Sequence, residues 1–532
     1  MQFALLPFAL AAAASEAPTV TIDSGPIYGV ATNLPNAIGP VNKFLGVPYA
    51  APPERFSLPK RSVPWTSPRN STAFQASCTQ LLATSDVGPE LDTLGDLFNS
   101  HAPESEDCLY INAFTPASAG PEDGRPVVVF IPGGGFQLGS GLLDLSGFAG
   151  YEDVVAFTFN YRTNIFGFPN TKELPVGERN LGLHDQRFAL EWVQTNAKAF
   201  GGDPKKVTIW GESAGSLSVD AHMHNYADAQ SPPFRASIMS SGQMSFGFLA
   251  GTGTADDTRG WETLAGAVGC TADDKLACMR NVSAKALIEG LVKTNATAVP
   301  IIDNVTVSAT RAADWRQGRI VKVPVMMSTL AEEGRALISR NITMDEFFKV
   351  YLPEPLVNTT KREAILSFYR GKPTLKTDFD VAAAIYTDFI WQCPQQIVAN
   401  ISASIGVPVW RSYINASISD LLPEKFRFLG KFHGGDLILL FGSPSFEDNS
   451  SGLRYTPQLY TFAKYLRGVI GSFVRNPRGG PGWPAVGSAY APFDVVALGD
   501  VGNEKSAGAS PVDQALLDAD CAIFSDILRS ME

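Results

Sequence analysis

Four short, nearly continuous apolar runs, each bounded by turn formers, set the rhythm of this chain. Pro126-Val-Val-Val-Phe-Ile131, Val154-Val-Ala-Phe-Thr-Phe159, Val207–Trp210 and Val323–Met327 show little polar alternation. Such runs predict strands buried on both faces, as in a parallel sheet. Between them the period changes. In Leu183–Phe200 the apolar residues Phe188, Ala189, Trp192, Val193, Ala197 and Phe200 recur at helical spacing. Strands alternating with helices predict an α/β fold, a large mostly parallel central sheet with helices on both faces. Shorter β-type runs broken by Gly and Pro, Thr19–Ile22 and Lys43–Pro48, come first. Residues 220–425 are richer in helix-like segments, and most are expected to be insertions over one end of the sheet. No linker composition separates these parts, so residues 18–532 are expected to form one domain.

The amino terminus departs from this pattern. Phe3–Ala14 is apolar, too short to span a bilayer, and runs into small residues, which predicts a secretory signal peptide over residues 1–17, cut near Ala14 to Ala17. No later run reaches the ~18 apolar residues of a transmembrane helix. Nine N-x-S/T sequons, at Asn70, Asn281, Asn295, Asn304, Asn341, Asn358, Asn400, Asn415 and Asn449, fit a glycosylated, secreted protein, and none falls between residues 71 and 280. The six cysteines, Cys78, Cys108, Cys270, Cys278, Cys393 and Cys521, form an even set, read in an exported chain as three disulfides. A net charge of −11 gives no electrostatic footprint for nucleic acid or an anionic membrane surface. Neither C-x-x-C nor a His-rich cluster suggests a metal, and no cofactor is expected.

The candidate chemistry begins where the third apolar run ends. Gly211-Glu212-Ser213-Ala214-Gly215 follows Val207–Trp210 and precedes the helix-compatible Ala214–Met223. Strand, G-x-S-x-G turn and helix together make a nucleophile elbow, with Ser213 at its tip. A serine hydroxyl needs a base within hydrogen-bond reach. Among the five histidines, His222 and His224 lie on the helix after the elbow, roughly 13 and 16 Å along its axis. His184 sits at a helix start and His101 in a polar loop. His433, in the Gly-flanked Gly430-Lys-Phe-His-Gly-Gly-Asp436, is left as the base. An acid must orient it, and in an α/β-hydrolase it falls between Ser and His in the chain. Glu332, Glu333 and Asp303 compete for that role on sequence physics. Ile131-Pro-Gly-Gly-Gly-Phe136 follows a buried strand, so the amides of Gly134 and Gly135, with that of Ala214, are the expected oxyanion donors.

At this point the chain resembles the type-B carboxylesterase/lipase family, which includes cholinesterases, mammalian carboxylesterases and fungal lipases. Phe44-Leu-Gly-Val-Pro-Tyr-Ala-Ala-Pro-Pro53 with Arg55-Phe56, Glu106-Asp-Cys-Leu-Tyr-Ile-Asn112, Asn160-Tyr-Arg162, Asn180–Gln186 and Phe200–Pro204 are similar to the family's blocks in their order. The resemblance implies an α/β-hydrolase with helical insertions over the active-site end, acting on a small-molecule or lipid ester. It selects Glu333 as the acid and His433 as the base. It implies disulfides Cys78–Cys108, Cys270–Cys278 and Cys393–Cys521, architectural ion pairs Arg55–Glu106 and Arg162–Asp185, and an electrostatic role for Glu212. Pro132 departs from the His, Tyr or Phe usual before the three glycines. The 78–108 loop contains no Trp, where cholinesterases place a cation-binding one, which disfavours choline esters. In that loop Leu91, Leu94 and Leu97/Phe98 have helical spacing, compatible with ordinary packing or with the amphipathic lid of fungal lipases. An interfacial lipase, an esterase dedicated to a fungal secondary metabolite, and a non-catalytic adhesion protein stay as alternatives. Phe246 and Phe248 are candidates for an acyl pocket, with aromatic packing as the other reading.

Overall fold

The computed structural model describes residues 17–81, 103–248, 253–296, 298–422, 424–441, 456–499 and 508–531. Eleven strands form the main sheet: β1 (Val30–Thr32), β2 (Val41–Pro48), β3 (Tyr110–Pro116), β4 (Arg125–Ile131), β5 (Val155–Phe159), β6 (Gly202–Glu212), β7 (Ala236–Ser240), β8 (Val325–Leu330), β9 (Val409–Ile414), β10 (Val495–Leu498) and β11 (Ala509–Val512). Their order across the sheet is β11-β10-β9-β8-β7-β6-β4-β5-β3-β2-β1. From β4 to β10 every pairing is parallel; β11 at one edge and β3, β2 and β1 at the other are antiparallel. Thr19–Ile22 forms the expected strand, but in a separate small sheet with Gly25–Tyr28.

The apolar runs are continuous because the sheet is covered twice. In β4, Val127, Val129 and Ile131 enter one core, while Val128 and Phe130 enter the other. The first core receives α1 (Leu181–Asn196), α2 (Ala214–Asn225) and α3 (Cys393–Ser404). The opposite core receives α4 (Gly435–Phe441) and α5 (Pro457–Arg475). Several expected bounds shift. The run at Val323–Met327 becomes β8 at Val325, because Pro324 has no N–H to give the ladder. The helix expected over Leu183–Phe200 is α-helical to Asn196 and tightens into a 3-10 turn at Ala197–Phe200.

Residues 220–425 also hold three sheet strands, β7, β8 and β9, and most of the rest of that stretch is inserted between them. The helical insertions are two, after β7 and after β8, and they build their own apolar clusters. Trp261, Leu264, Met279, Leu287 and Leu291 pack together in the first. Phe347, Phe348, Ile365, Tyr369, Ile385 and Phe389 do so in the second. The chain pairs Cys78 with Cys108, Cys270 with Cys278, and Cys393 with Cys521, the last closing a separation of 128 residues. Asn70, Asn281, Asn295, Asn304, Asn341, Asn358, Asn400 and Asn415 are all exposed, while Asn449 lies outside the described residues. No described helix is long and apolar enough to cross a membrane. The predicted leader through residue 16, His101 and Leu91–Phe98 also fall outside the described residues.

Candidate active site

The strand order reverses around β4: the chain leaves β4 for β5 on one side and returns to β6 on the other. In open α/β sheets a crevice forms outside the carboxyl ends at such a point. Ser213 and the glycine loop 133–135 both lie there, directly after β6 and β4.

Ser213 holds φ 54° and ψ −124°, a conformation costly for a residue with a side chain. Its neighbours fix it. A Cβ on Gly211 would lie 2.1 Å from the Gly215 carbonyl oxygen, and one on Gly215 would lie 2.0 Å from that of Ile131. Only glycine allows the elbow to fold so tightly against itself and against β4. The Ser213 N–H donates to the Ser240 carbonyl at 3.0 Å, and α2 starts at the next residue.

The glycine loop wraps the elbow. A Cβ on Gly133 would meet Ser213 Cβ at 2.9 Å, so the backbone passes directly over the serine. Tyr161 donates its hydroxyl to the Pro132 carbonyl at 2.9 Å, which anchors the residue that departs from the family pattern. Gly134 and Gly135 adopt φ of 109° and 61°. The amides of Gly134, Gly135 and Ala214 find no acceptor among the described residues. Three free N–H donors thus sit on the two segments that flank the serine.

His433 precedes α4, and Glu333 opens the 3-10 turn Glu333–Ala336 after β8. His433 Nδ1 lies 2.6 Å from Glu333 Oε2. The other oxygen, Oε1, accepts the Ser241 hydroxyl at 2.7 Å and the Leu330 N–H at 2.8 Å. Glu333 is fully buried, so these bonds hold a carboxylate that water cannot reach. Nε2 of His433 turns to the elbow and faces Glu212 Oε1 at 3.3 Å. It makes no hydrogen bond to Ser213 here; such contacts often tighten only when substrate is bound. The Trp391 ring covers the imidazole, with centroids 4.5 Å apart and planes 31° from parallel.

Charge at this centre is strongly coupled. Burial pushes Glu212 up to about 8 and Asp436, on the first turn of α4, up to about 7. Burial pulls His433 down, but Glu212 and Glu333 outweigh it and raise the imidazole, to about 9. A neutral Glu212 no longer attracts the imidazolium, the strongest of the attractions that raise His433. Complete desolvation keeps Glu212 protonated near neutral pH, so His433 titrates lower than it would beside a charged Glu212.

The competing residues have other occupations. Glu332 accepts the Lys431 N–H at 2.9 Å and steadies the loop before His433. Asp303 accepts the N–H groups of Val305, Thr306 and Val307 and shapes its own turn. His222 is fully buried against Gln186, and burial drives it down to about 3. His224 meets Ser245, and His184 meets the Gly177 carbonyl. Arg55 pairs with Glu106, and Arg162 with Asp185 at 2.7 Å, as the resemblance implies. Phe246 is fully buried beneath Arg316 and belongs to the core. Phe248 meets Tyr351 of the second insertion edge to face. Sequence reasoning missed Ser241 and Trp391. Ser241 was readable only once β7 was known to end at Ser240; no pattern around Trp391 pointed to it.

The carboxylesterase family, compared as a whole, matches residues 16–499. The chain belongs to the carboxylesterase family. It is similar to Lipase 2 of Diutina rugosa, 32% identical, with 85% of this chain and 89% of that protein covered. Carboxylesterase 5A of Felis catus is 29% identical over 89% of each chain. Acetylcholinesterase of Bungarus fasciatus is 29% identical over 88% of this chain and 79% of its own length. As a member, the protein is a carboxylic ester hydrolase with the family's α/β-hydrolase fold.

Proposed function

We propose that this carboxylesterase is secreted, glycosylated and works through an acyl-enzyme formed on Ser213. Ser213 Oγ attacks the ester carbonyl while His433 Nε2 takes its proton. The charge on the former carbonyl oxygen is received by the amides of Gly134, Gly135 and Ala214, donors that typically contribute ~3 kcal/mol each. Glu333 holds Nδ1–H and stabilises the imidazolium. His433 then gives its proton to the departing alkoxide, and the alcohol leaves. Water attacks the acyl-enzyme with His433 again as base, releasing the acid and restoring the serine. No cofactor enters this scheme.

The observation that carries the reading is the 2.6 Å contact between His433 and Glu333, with Nε2 turned toward the elbow. Export rests on the apolar leader over residues 1–17, the three disulfides and eight exposed sequon asparagines. Residues 18–532 form one catalytic domain in this reading. The substrate is a small-molecule or lipid ester, and the missing Trp of the 78–108 loop argues against choline esters. Similarity to Lipase 2 and Lipase 5 of Diutina rugosa favours, as a second reading, action on triacylglycerols at an interface. Hydrolysis of p-nitrophenyl esters of rising chain length, repeated with emulsified triglyceride, separates the two. A sharp rise in rate when droplets form supports the lipase, and equal rates above and below solubility support the esterase.

A further inference from the structure

The helical rod that carries Trp391 is not regular. An α-helix over Asp378–Tyr386 widens into a π-helical turn at Thr387–Gln392 and resumes as α3. A π turn is rare, and it commonly persists where it aims a side chain at a functional site. Here it aims Trp391 onto the imidazole of His433. A second local cost points the same way. The indole Nε1–H is buried without a partner, although Leu or Phe would fill the space with no polar atom to desolvate. Two unfavourable features at one residue imply a compensating use for the ring face.

The turn is also bolted to the strand that carries the acid. Thr387 Oγ1 accepts the Gly334 N–H at 3.0 Å, next to Glu333. Gln392 Oε1 accepts the Thr329 hydroxyl of β8 at 2.6 Å, and the Cys393–Cys521 disulfide follows at once. Trp391 and Glu333 are thereby held as one body, one against the face of the imidazole and the other at its Nδ1. The charged or titratable groups that face His433 are Glu333, Glu212 and Asp436. An indole face attracts a cation more strongly than the other aromatic rings do, so it favours imidazolium over imidazole.

We propose that Trp391, set on His433 by the π-helical turn, is a positioning residue that holds the imidazole in register and favours its protonated form during acyl transfer. This rests on His433 being the base, and the test separates the two claims. Steady-state kinetics across pH on a soluble p-nitrophenyl ester compare the wild type with Trp391→Leu and Trp391→Phe. Trp391→Leu lowers kcat about tenfold with KM within about twofold, and moves the acid limb of kcat/KM down by about half a unit or more. Trp391→Phe recovers most of that loss. An unchanged kcat in the leucine variant overturns the proposal, as does equal loss in both.

A second measurement does not depend on the leucine variant folding. The difference in tryptophan emission between wild type and Trp391→Phe isolates this indole, and it is quenched as His433 takes up its proton, with a midpoint on the kinetic acid limb. A flat difference spectrum overturns the proposal. Activity surviving in His433→Gln overturns the base itself, which is a separate failure.

Discussion

Replacing Glu212 by Gln tests the electrostatics of the centre with almost no change of shape. The carboxyl is buried, faces His433 Nε2 at 3.3 Å, and is pushed by burial to about 8. Below that pH it is neutral, so glutamine imitates it and kcat/KM at pH 6 stays within about threefold of wild type by this reasoning. Above it, the wild-type enzyme gains a negative charge beside the imidazolium that forms in each proton transfer. Two unit charges at this distance interact by about 5 kcal/mol at an effective dielectric of ~20. If only a quarter of that survives partial solvation and the opposing oxyanion, about 1.3 kcal/mol remains, which is nearly tenfold in rate. The ratio of kcat/KM between wild type and Glu212→Gln therefore rises about tenfold from pH 6 to pH 9.5, with its midpoint near 8. Initial rates on a soluble p-nitrophenyl ester, corrected for spontaneous hydrolysis, measure it. A ratio constant across pH 8, or a loss beyond a hundredfold already at pH 6, refutes the reasoning.

Three other outcomes are expected. Glu333→Gln keeps the shape but removes the charge that stabilises the imidazolium, so kcat falls by about 10³–10⁴-fold with little change in KM. Asp388, buried and raised to about 7 chiefly by desolvation, holds its proton in the folded chain while the unfolded chain loses it near 4. Its contribution to stability therefore falls as pH rises from about 4 to about 7, and Asp388→Asn removes that contribution; the difference in melting temperature between the two proteins across pH checks it. Expressed with its leader through a secretory route, the protein loses mass on treatment with a peptide N-glycosidase, and Asn-to-Asp conversion marks sites among the eight exposed sequons.

What the sequence disclosed depended on how local each signal was. β4 and β5 were legible because both faces are apolar, and the elbow because its glycines answer to two backbone contacts nearby. The strand β9 was not, since Val409-Trp-Arg-Ser-Tyr-Ile414 carries a buried Arg411 whose charge is matched by Asp518, 107 residues away. Ala236-Ser-Ile-Met-Ser240 hides in the same way, two buried serines breaking its apolar run, and Ser240 accepts the Trp210 indole N–H and, through its carbonyl, the Ser213 N–H. Without β7 and β9, the two insertions of residues 220–425 could not be told apart in the sequence. His433 was reachable by elimination among five histidines, whereas choosing Glu333 over its neighbour Glu332 needed the family resemblance. The turn sends the two carboxylates different ways, Glu333 inward to the imidazole and Glu332 to the Lys431 amide. Trp391 depends on a helical irregularity, which no apolar period announces.

The account stands or falls on Ser213 as the nucleophile. Incubation with a p-nitrophenyl phosphonate ester, followed by peptide mass spectrometry, reads this directly. The account predicts one p-nitrophenolate released per protein, a phosphonyl group on the peptide containing Ser213, and ester hydrolysis lost in step with labelling. Label on another residue, or a Ser213→Ala protein that keeps more than about a tenth of wild-type activity, contradicts it.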